Sequence, residues 1–475
     1  MLFNSFIFLL FLALVLPLFY LLKNNRYKQV FLLFASYIFY GYWDWRFCFL
    51  LMLSTVVDYF VGKEIHKCQI HKKRKALLLI SLFVNLGILA IFKYFNFFIE
   101  SFEQIISLFG SKLDFIHLKI ILPVGISFYT FQTLSYTIDI YKKKLSPTND
   151  FISFALFVSF FPQLVAGPIE RAKNLLPQLY SKLQPTKEQL QQGTVLIVVG
   201  LFRKVVIGDT SGRFVDHIFA QPELYFSVEL LFGLILFSIQ IYADFSGYSH
   251  IARGTAKLLG IELMKNFEQP YFSKNITEFW RRWHISLSTW LRDYLYIPLG
   301  GNRKGLPRTY INLMVTMLLG GLWHGASWNF VIWGGLHGIY LIVDKLLKQY
   351  NVSLINTIIK QTTFYKLVCR LFTYLLILFT WLFFRSQSWE TTQTIFSQIK
   401  QFQFSSYTYE MFRILGGFVI LILIFDYFEY RTKNHCFLLQ IKNKGIVAGI
   451  LSALLLTTLA FMFYKEPLPF IYFQF

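Results

Sequence analysis

The chain reads as an all-α, polytopic integral membrane protein, and three observations predict that class. Of its 475 residues 55% are hydrophobic and only 15% charged, where a soluble domain carries about 25% charged residues; so little charge cannot cover a water-facing surface. Apolar runs near the roughly 20 residues needed to cross a bilayer recur from one end of the sequence to the other. The excess of 46 Lys and Arg over 25 Asp and Glu falls in short clusters between those runs, as topology and contact with anionic lipid require. No basic domain stands apart from the spans, so nucleic-acid binding is not expected.

The apolar segments run, in order, Leu2–Leu22, Val30–Trp43, Phe47–Val61, Ala76–Phe97, Ile120–Ile140, Phe151–Val165, Leu190–Ile207, Phe226–Phe245, Ile311–Trp323, Ser327–Ile342, Tyr365–Phe384, Met411–Tyr427 and Ile446–Phe463. Several are short or interrupted, which predicts about ten to twelve complete crossings plus re-entrant and interfacial helices. The first run has no small-residue cleavage site after it and reads as a retained span. Basic clusters follow the first, third and fifth runs (Lys23 to Arg26, Lys63 to Lys75, Lys142 to Lys144), whereas Glu100, Glu103 and Asp114 follow the fourth. The positive-inside rule then places the basic loops in the cytoplasm and the N-terminus outside it. Cys48, Cys68, Cys369 and Cys436 show no metal or redox spacing and read as packing residues. With no fixed-period repeat, no paired broken helices and no soluble insertion, the chain reads as one domain: N-terminal spans over 1–118, a core over 119–345 and C-terminal spans over 346–475.

The core carries residues that lipid-facing helices avoid. Asp244 and His250 lie in Ile241-Tyr-Ala-Asp-Phe-Ser-Gly-Tyr-Ser-His250. An Asp at the bilayer centre costs about 2.5–3.5 kcal/mol on insertion scales, so Asp244 faces either a bundle interior or the water interface; for His250 the interface is the preferred reading. In Phe279 to Tyr294 the residues Trp280, Trp283, Leu287, Trp290, Leu291 and Tyr294 recur at helical spacing. This predicts one amphipathic helix lying at headgroup level, with His284 inside its tryptophan belt as either a functional or a satisfied interfacial side chain. The loop Gly300 to Gly305 predicts a turn at a cytoplasmic end. Glycines 320, 321, 325, 334, 335 and 338 then allow close helix approach around His324, Asn329 and His337. If that segment were one helix, His324 and His337 would occupy different faces.

A neutral imidazole near pH 7 takes a proton from a hydroxyl, and without a Ser or Cys nucleophile nearby that chemistry is direct transfer between two bound substrates. His324 thus reads as a general base or as a structural hydrogen-bonder, and His337 as packing. The histidines show no H-x-x-x-H or H-x-x-E spacing, so no metal site is expected.

Five stretches in this order resemble the membrane-bound O-acyltransferases, specifically the bacterial branch that acetylates alginate and peptidoglycan: Pro123 to Phe131, Phe161 to Ile169, Ile241 to Tyr248, Phe279 to Leu287 and Leu322 to Gly325, together with the closing Pro469 to Phe475. One departure is His250, where the family commonly has an acidic residue. The resemblance implies that the helices surround a central tunnel, that His324 is the catalytic histidine and that His284 is the second functional polar position. Asp244, Gln132, Trp323 and Asn329 are the expected substrate-binding residues. It implies a cytoplasmic thioester donor, acetyl-CoA or an acyl carrier, with no tightly bound cofactor. It also implies an extracytoplasmic polysaccharide or peptidoglycan acceptor, an SGNH-type acetyltransferase partner outside the cytoplasm, and residence in the bacterial cytoplasmic membrane. Two rival readings use the same spans: an acyl-group transporter or channel, and a secretion-complex platform without chemistry of its own.

Overall fold

The computed structural model describes residues 1–110, 115–118, 120–165, 167–349, 362–386, 388–403 and 405–473. Every regular element among them is helical. Of the sequence expectations, Asp114 and the last two residues, Gln474 and Phe475, lie outside the described residues.

Two N-terminal hairpins open the bundle: α1 (Phe6–Leu21), α2 (Asn25–Gly41), α3 (Phe47–Lys67) and α4 (His71–Leu108). Side-chain oxygens of Ser5 and Asn24 cap the first two helices on the N–H groups of Phe8 and Arg26, satisfying donors that a helix start leaves open. The Met1 amine donates to Phe39 O at 3.0 Å, so the start of the chain and the end of α2 share one face, called here the N-terminal face. The basic Lys63 to Lys75 segment lies at the other. α5 (Ile126–Tyr141) and α6 (Phe151–Ser159) follow, then α7 (Lys187–Ala220) and α8 (Ser227–Leu258).

α8 is the central post. The most apolar stretch of α8 is 83% buried, against 17% for α4, so α8 is surrounded by protein and α4 by lipid. It packs on α7 through two glycine pairs seven residues apart. A Cβ on Gly193 would sit 2.8 Å from Gly254 O, and one on Gly200 2.8 Å from Gly247 O, so the two backbones touch. A π-helical turn at Phe202–Asp209 in α7 lets adjacent Arg203 and Lys204 both point inward. Arg203 pairs with Asp426 at 3.1 Å and Glu429 at 2.8 Å, and Lys204 with Asp209 at 2.6 Å and Asp244 at 3.0 Å, all buried.

Short helices α9 (Ile276–Arg282) and α10 (Ile285–Leu291) lead to the hairpin of α11 (Leu306–His324) and α12 (Trp328–Gln349). α13 (Thr363–Arg385), α14 (Ser406–Thr432) and α15 (Lys444–Tyr464) close the bundle. Seven helices among the described residues are long and apolar enough to cross a membrane unaided: α4, α7, α8, α12, α13, α14 and α15. The expected ten to twelve crossings require three to five of the shorter or more polar α1, α2, α3, α5 and α11 as well, and α5 and α11 are among the helices that carry the site.

One sequence expectation is corrected here. The stretch Phe279 to Tyr294 is not one interfacial helix. α9 ends as Trp283 N donates to Phe279 O at 2.8 Å, and Ile285 N turns to Asn266 O at 2.9 Å. Between them His284 takes a left-handed φ of 43°. Trp283 is fully buried against Phe267, Phe279 and Trp381 rather than at headgroup level. α11 and α12 are separate helices, broken after His324, as the two separate apolar runs Ile311–Trp323 and Ser327–Ile342 predict, so no single helical wheel relates His324 to His337.

Candidate functional site

His324 is the last residue of α11, and glycine fixes its place. A Cβ on Gly321 would lie 2.1 Å from Phe330 O, and one on Gly334 2.3 Å from Met317 O. α11 and α12 therefore meet backbone to backbone at the hairpin that carries the imidazole. The ring is boxed by Trp323 and Trp333, each centroid 5.0 Å away, Tyr472 at 5.2 Å and Phe384 at 5.3 Å. His284 stands 6.4 Å from it. Nδ1 of His324 and both ring nitrogens of His284 have no hydrogen-bond partner among the described residues. A buried polar group left without a partner costs about 1–3 kcal/mol, and a catalytic role is one of the reasons a fold keeps one.

His337 and His250 are different. His337 accepts from Trp280 Nε1 at 3.3 Å and contacts Thr380 Oγ1 at 3.1 Å, a satisfied packing histidine. His250 is not at a water interface, contrary to expectation: it is buried against His435 at 3.2 Å, beside Arg253. The residue lies on α8, the most enclosed helix, so its neighbours are other protein groups.

A cavity of about 470 Å³ opens beside His324 on the N-terminal face, lined among others by Tyr40, Lys93, Phe128, Trp323, His324 and Tyr472. Its size suits a small substrate group. Of the expected substrate-binding residues, Trp323 is on its wall. Asp244, Gln132 and Asn329 lie outside the lining of this cavity and of the second one described below. Each instead supports a wall. Asp244 accepts from Ile471 N at 2.9 Å, and so holds the C-terminal segment that presents Tyr472. The Gln132 amide donates to Phe157 O. The Asn329 amide donates to Ser386 O at 2.9 Å, fixing the end of α13 that carries Phe384.

Lys93 and Tyr472 are polar lining residues to which the sequence alone assigned no role. Lys93 sits in an apolar run, where a lone ionisable residue is itself a signal. It donates to Trp323 O at 2.7 Å and His324 O at 3.0 Å. Tyr472, whose hydroxyl has no partner among the described residues, gives no sequence signal beyond its place in the closing motif.

A second cavity, about 840 Å³, enters from the opposite face. Its face is set by Tyr294, whose hydroxyl bonds Asp139 at 2.8 Å and whose ring lies under Lys142 at 5.7 Å, at the basic end of α5. Arg281, Arg292, Lys345 and Lys348 line it, and among the described residues no acidic side chain does. Lys348 and Arg292 have acidic neighbours in Asp344 and Asp293, leaving a net cationic mouth. The aromatic layer of Phe128, Phe131, Trp290 and Trp323 backs the first cavity, with Phe131 and Trp290 stacked at 3.8 Å, and Leu291, next after Trp290, lines the second. His284 touches both sides: its ring is 5.7 Å from Trp323, on the wall of the first, and its neighbour Ile285 lines the second.

Comparison with known proteins finds that the model of the membrane-bound O-acyltransferase family matches residues 142–379. That stretch includes His284 and His324 but not Lys93, Gln132 or Tyr472. The chain is 41% identical over 403 residues to the probable alginate O-acetylase AlgI of Pseudomonas aeruginosa, covering 84% of this chain and 75% of the relative. It is 37% identical over 395 residues to the peptidoglycan O-acetyltransferase of Helicobacter pylori, covering 78% and 73%. With the teichoic acid D-alanyltransferase of Bacillus subtilis it shares 28% identity over 243 residues, covering 48% and 60%.

Proposed function

The chain belongs to the membrane-bound O-acyltransferase family, an acyltransferase that crosses the membrane many times, and from that premise we propose the reaction it carries out. It moves an acetyl group from a cytoplasmic thioester, acetyl-CoA or an acyl carrier, to a hydroxyl outside the cytoplasm, for O-acetylation of an alginate-like exopolysaccharide or of peptidoglycan. The acceptor at the site is the polymer itself or an extracytoplasmic SGNH-type acetyltransferase that passes the acetyl on. The membrane is the bacterial cytoplasmic membrane. The basic face is cytoplasmic and the N-terminal face extracytoplasmic, and the chain works as one domain.

The observation that carries this reading is His324 at the wall of one cavity, with an unpartnered ring nitrogen, while a cationic cavity lined by Ile285, next to His284, opens on the opposite face. Arg and Lys at the second mouth suit the phosphates or acidic surface of a thioester carrier. His324 takes the proton of the acceptor hydroxyl as it adds to the thioester carbonyl, and returns it to the departing thiolate. His284 orients the reacting groups. The aromatic layer keeps water from a thioester that would otherwise hydrolyse.

The test is the ester-linked acetate on the extracellular polymer in cells carrying His324→Ala, with protein level checked by immunoblot. Loss of acetate at normal protein level is expected. Normal acetylation at normal protein level removes His324 from the chemistry.

A further inference from the structure

The reaction proposed above makes an anion: as the hydroxyl oxygen bonds the thioester carbon, the carbonyl electron pair moves onto oxygen. Such an oxyanion needs preorganised positive charge. The cavity beside His324 supplies it from an unexpected element. Lys93 belongs to α4, in the N-terminal bundle, yet its ammonium reaches the end of α11. A π-helical turn at Ala90–Tyr94 makes this reach and brings Tyr94 alongside, whose hydroxyl donates to Leu322 O at 2.9 Å. Two neighbouring residues of one helix thus cap three consecutive carbonyls of another.

The charge is held where it is wanted. Two carbonyls and the negative end of the α11 dipole favour a cation at this point, and the Trp323 ring lies 5.9 Å from Nζ. Those contacts occupy two of the three N–H groups of an ammonium, leaving one for a ligand. Among the described residues Lys93 is the one Lys or Arg lining this cavity, and no Asp or Glu among them lines it. The other amine at the wall, that of Met1, is turned to Phe39 O. Resting on the acyl-transfer reading, we infer that Lys93 is a catalytic residue of this enzyme, whose ammonium stabilises the oxyanion formed beside His324. The tetrahedral species then collapses: the carbonyl reforms, the C–S bond breaks, and the thiolate takes the proton held on His324.

Inside-out membrane vesicles bearing the full chain and loaded with de-acetylated alginate oligomers are given acetyl-CoA outside, and thiol release is followed. Lys93→Met should lower kcat about 100-fold, the loss typical of removing one oxyanion donor, with KM for the oligomer little changed. Wild-type kcat overturns the inference, as does a rise in KM alone, which would make Lys93 a ground-state site for an anionic acceptor. Should Lys93→Met fail to accumulate, Lys93→Cys is assayed before and after alkylation with 2-bromoethylamine, which rebuilds a lysine-like ammonium. Recovery with this reagent but not with neutral iodoacetamide supports the role, and no recovery overturns it; the unaltered chain, with its own four cysteines, receives both reagents as control. His324→Ala runs in the same assay. If it keeps wild-type activity the acyl-transfer reading fails, whereas an inactive His324→Ala beside a fully active Lys93→Met removes only the inference about Lys93.

Discussion

His284 joins backbone strain to chemistry. A non-glycine residue in the left-handed region costs about 1–2 kcal/mol, and here it separates α9 from α10 with both ring nitrogens unpartnered. Strain at such a place is kept when the surroundings impose it and a ligand uses the result. His284→Gly removes the strain along with the ring. Its thermal unfolding midpoint is expected to stay within a few degrees of the parent while acetyl transfer falls about 100-fold; a large drop in midpoint with transfer intact would make the residue structural. Arg203 gives the contrasting case. Arg203→Met leaves Asp426 and Glu429 buried without their cation, a loss of about 3–5 kcal/mol, and should lower the unfolding midpoint clearly. An unchanged midpoint would mean that these carboxylates are not held as ions by Arg203. At this scale the sequence was informative where a polar residue interrupted an apolar run, as His324 and Asp244 do; His284 stood out inside its tryptophan belt and through the family resemblance, and Lys93, although in an apolar run, was missed. The interruption does not say which polar residue meets substrate and which meets protein. Asp244, Gln132 and Asn329 found partners on distant elements, and those pairings are tertiary facts.

The elements that position the site are governed by close backbone contact. Gly321→Ala should push α11 from α12, since its new Cβ meets a backbone oxygen at 2.1 Å that cannot rotate away. The expected result is lower stability together with lost transfer, because His324 rides on the displaced helix. A methyl group added at Gly416, on α14, would meet nothing within 4 Å, so Gly416→Ala should be neutral or stabilise by about 0.5–1 kcal/mol through helix propensity. Thermal unfolding of the two variants side by side checks both. The glycine-rich character of this hairpin was legible in the sequence, and so was close packing. The breaks were not. Helical periodicity runs straight through Trp283–His284, because the aromatic residues on either side bury against different partners that happen to keep the same spacing. The π-helical turns at Ala90–Tyr94 and Phe202–Asp209 are equally silent in an apolar pattern.

Across the whole molecule, the class was legible from composition and run length, because a chain with 15% charged residues has few ways to fold in water. Two cavities on opposite faces were not, since their walls come from helices far apart in sequence, with Lys93 and His324 separated by 231 positions. The sidedness that gives those cavities their roles is open to direct check. Single cysteines at Lys73 and at Trp45 in a chain freed of its own four should react with a membrane-impermeant maleimide from opposite sides: Trp45→Cys in intact spheroplasts, Lys73→Cys only in inside-out vesicles. The reverse pattern inverts the topology and with it the assignment of donor and acceptor mouths. The most direct test of the central claim, that one imidazole joins a donor and an acceptor held on opposite faces, uses inside-out vesicles containing acceptor polymer in the lumen. Acetyl-labelled coenzyme A is added outside, at the basic face. Label should accumulate as ester on the enclosed polymer with the unaltered chain and be absent with His324→Ala. Label reaching the polymer at equal rate in the His324→Ala vesicles, with the protein present and folded, would contradict it.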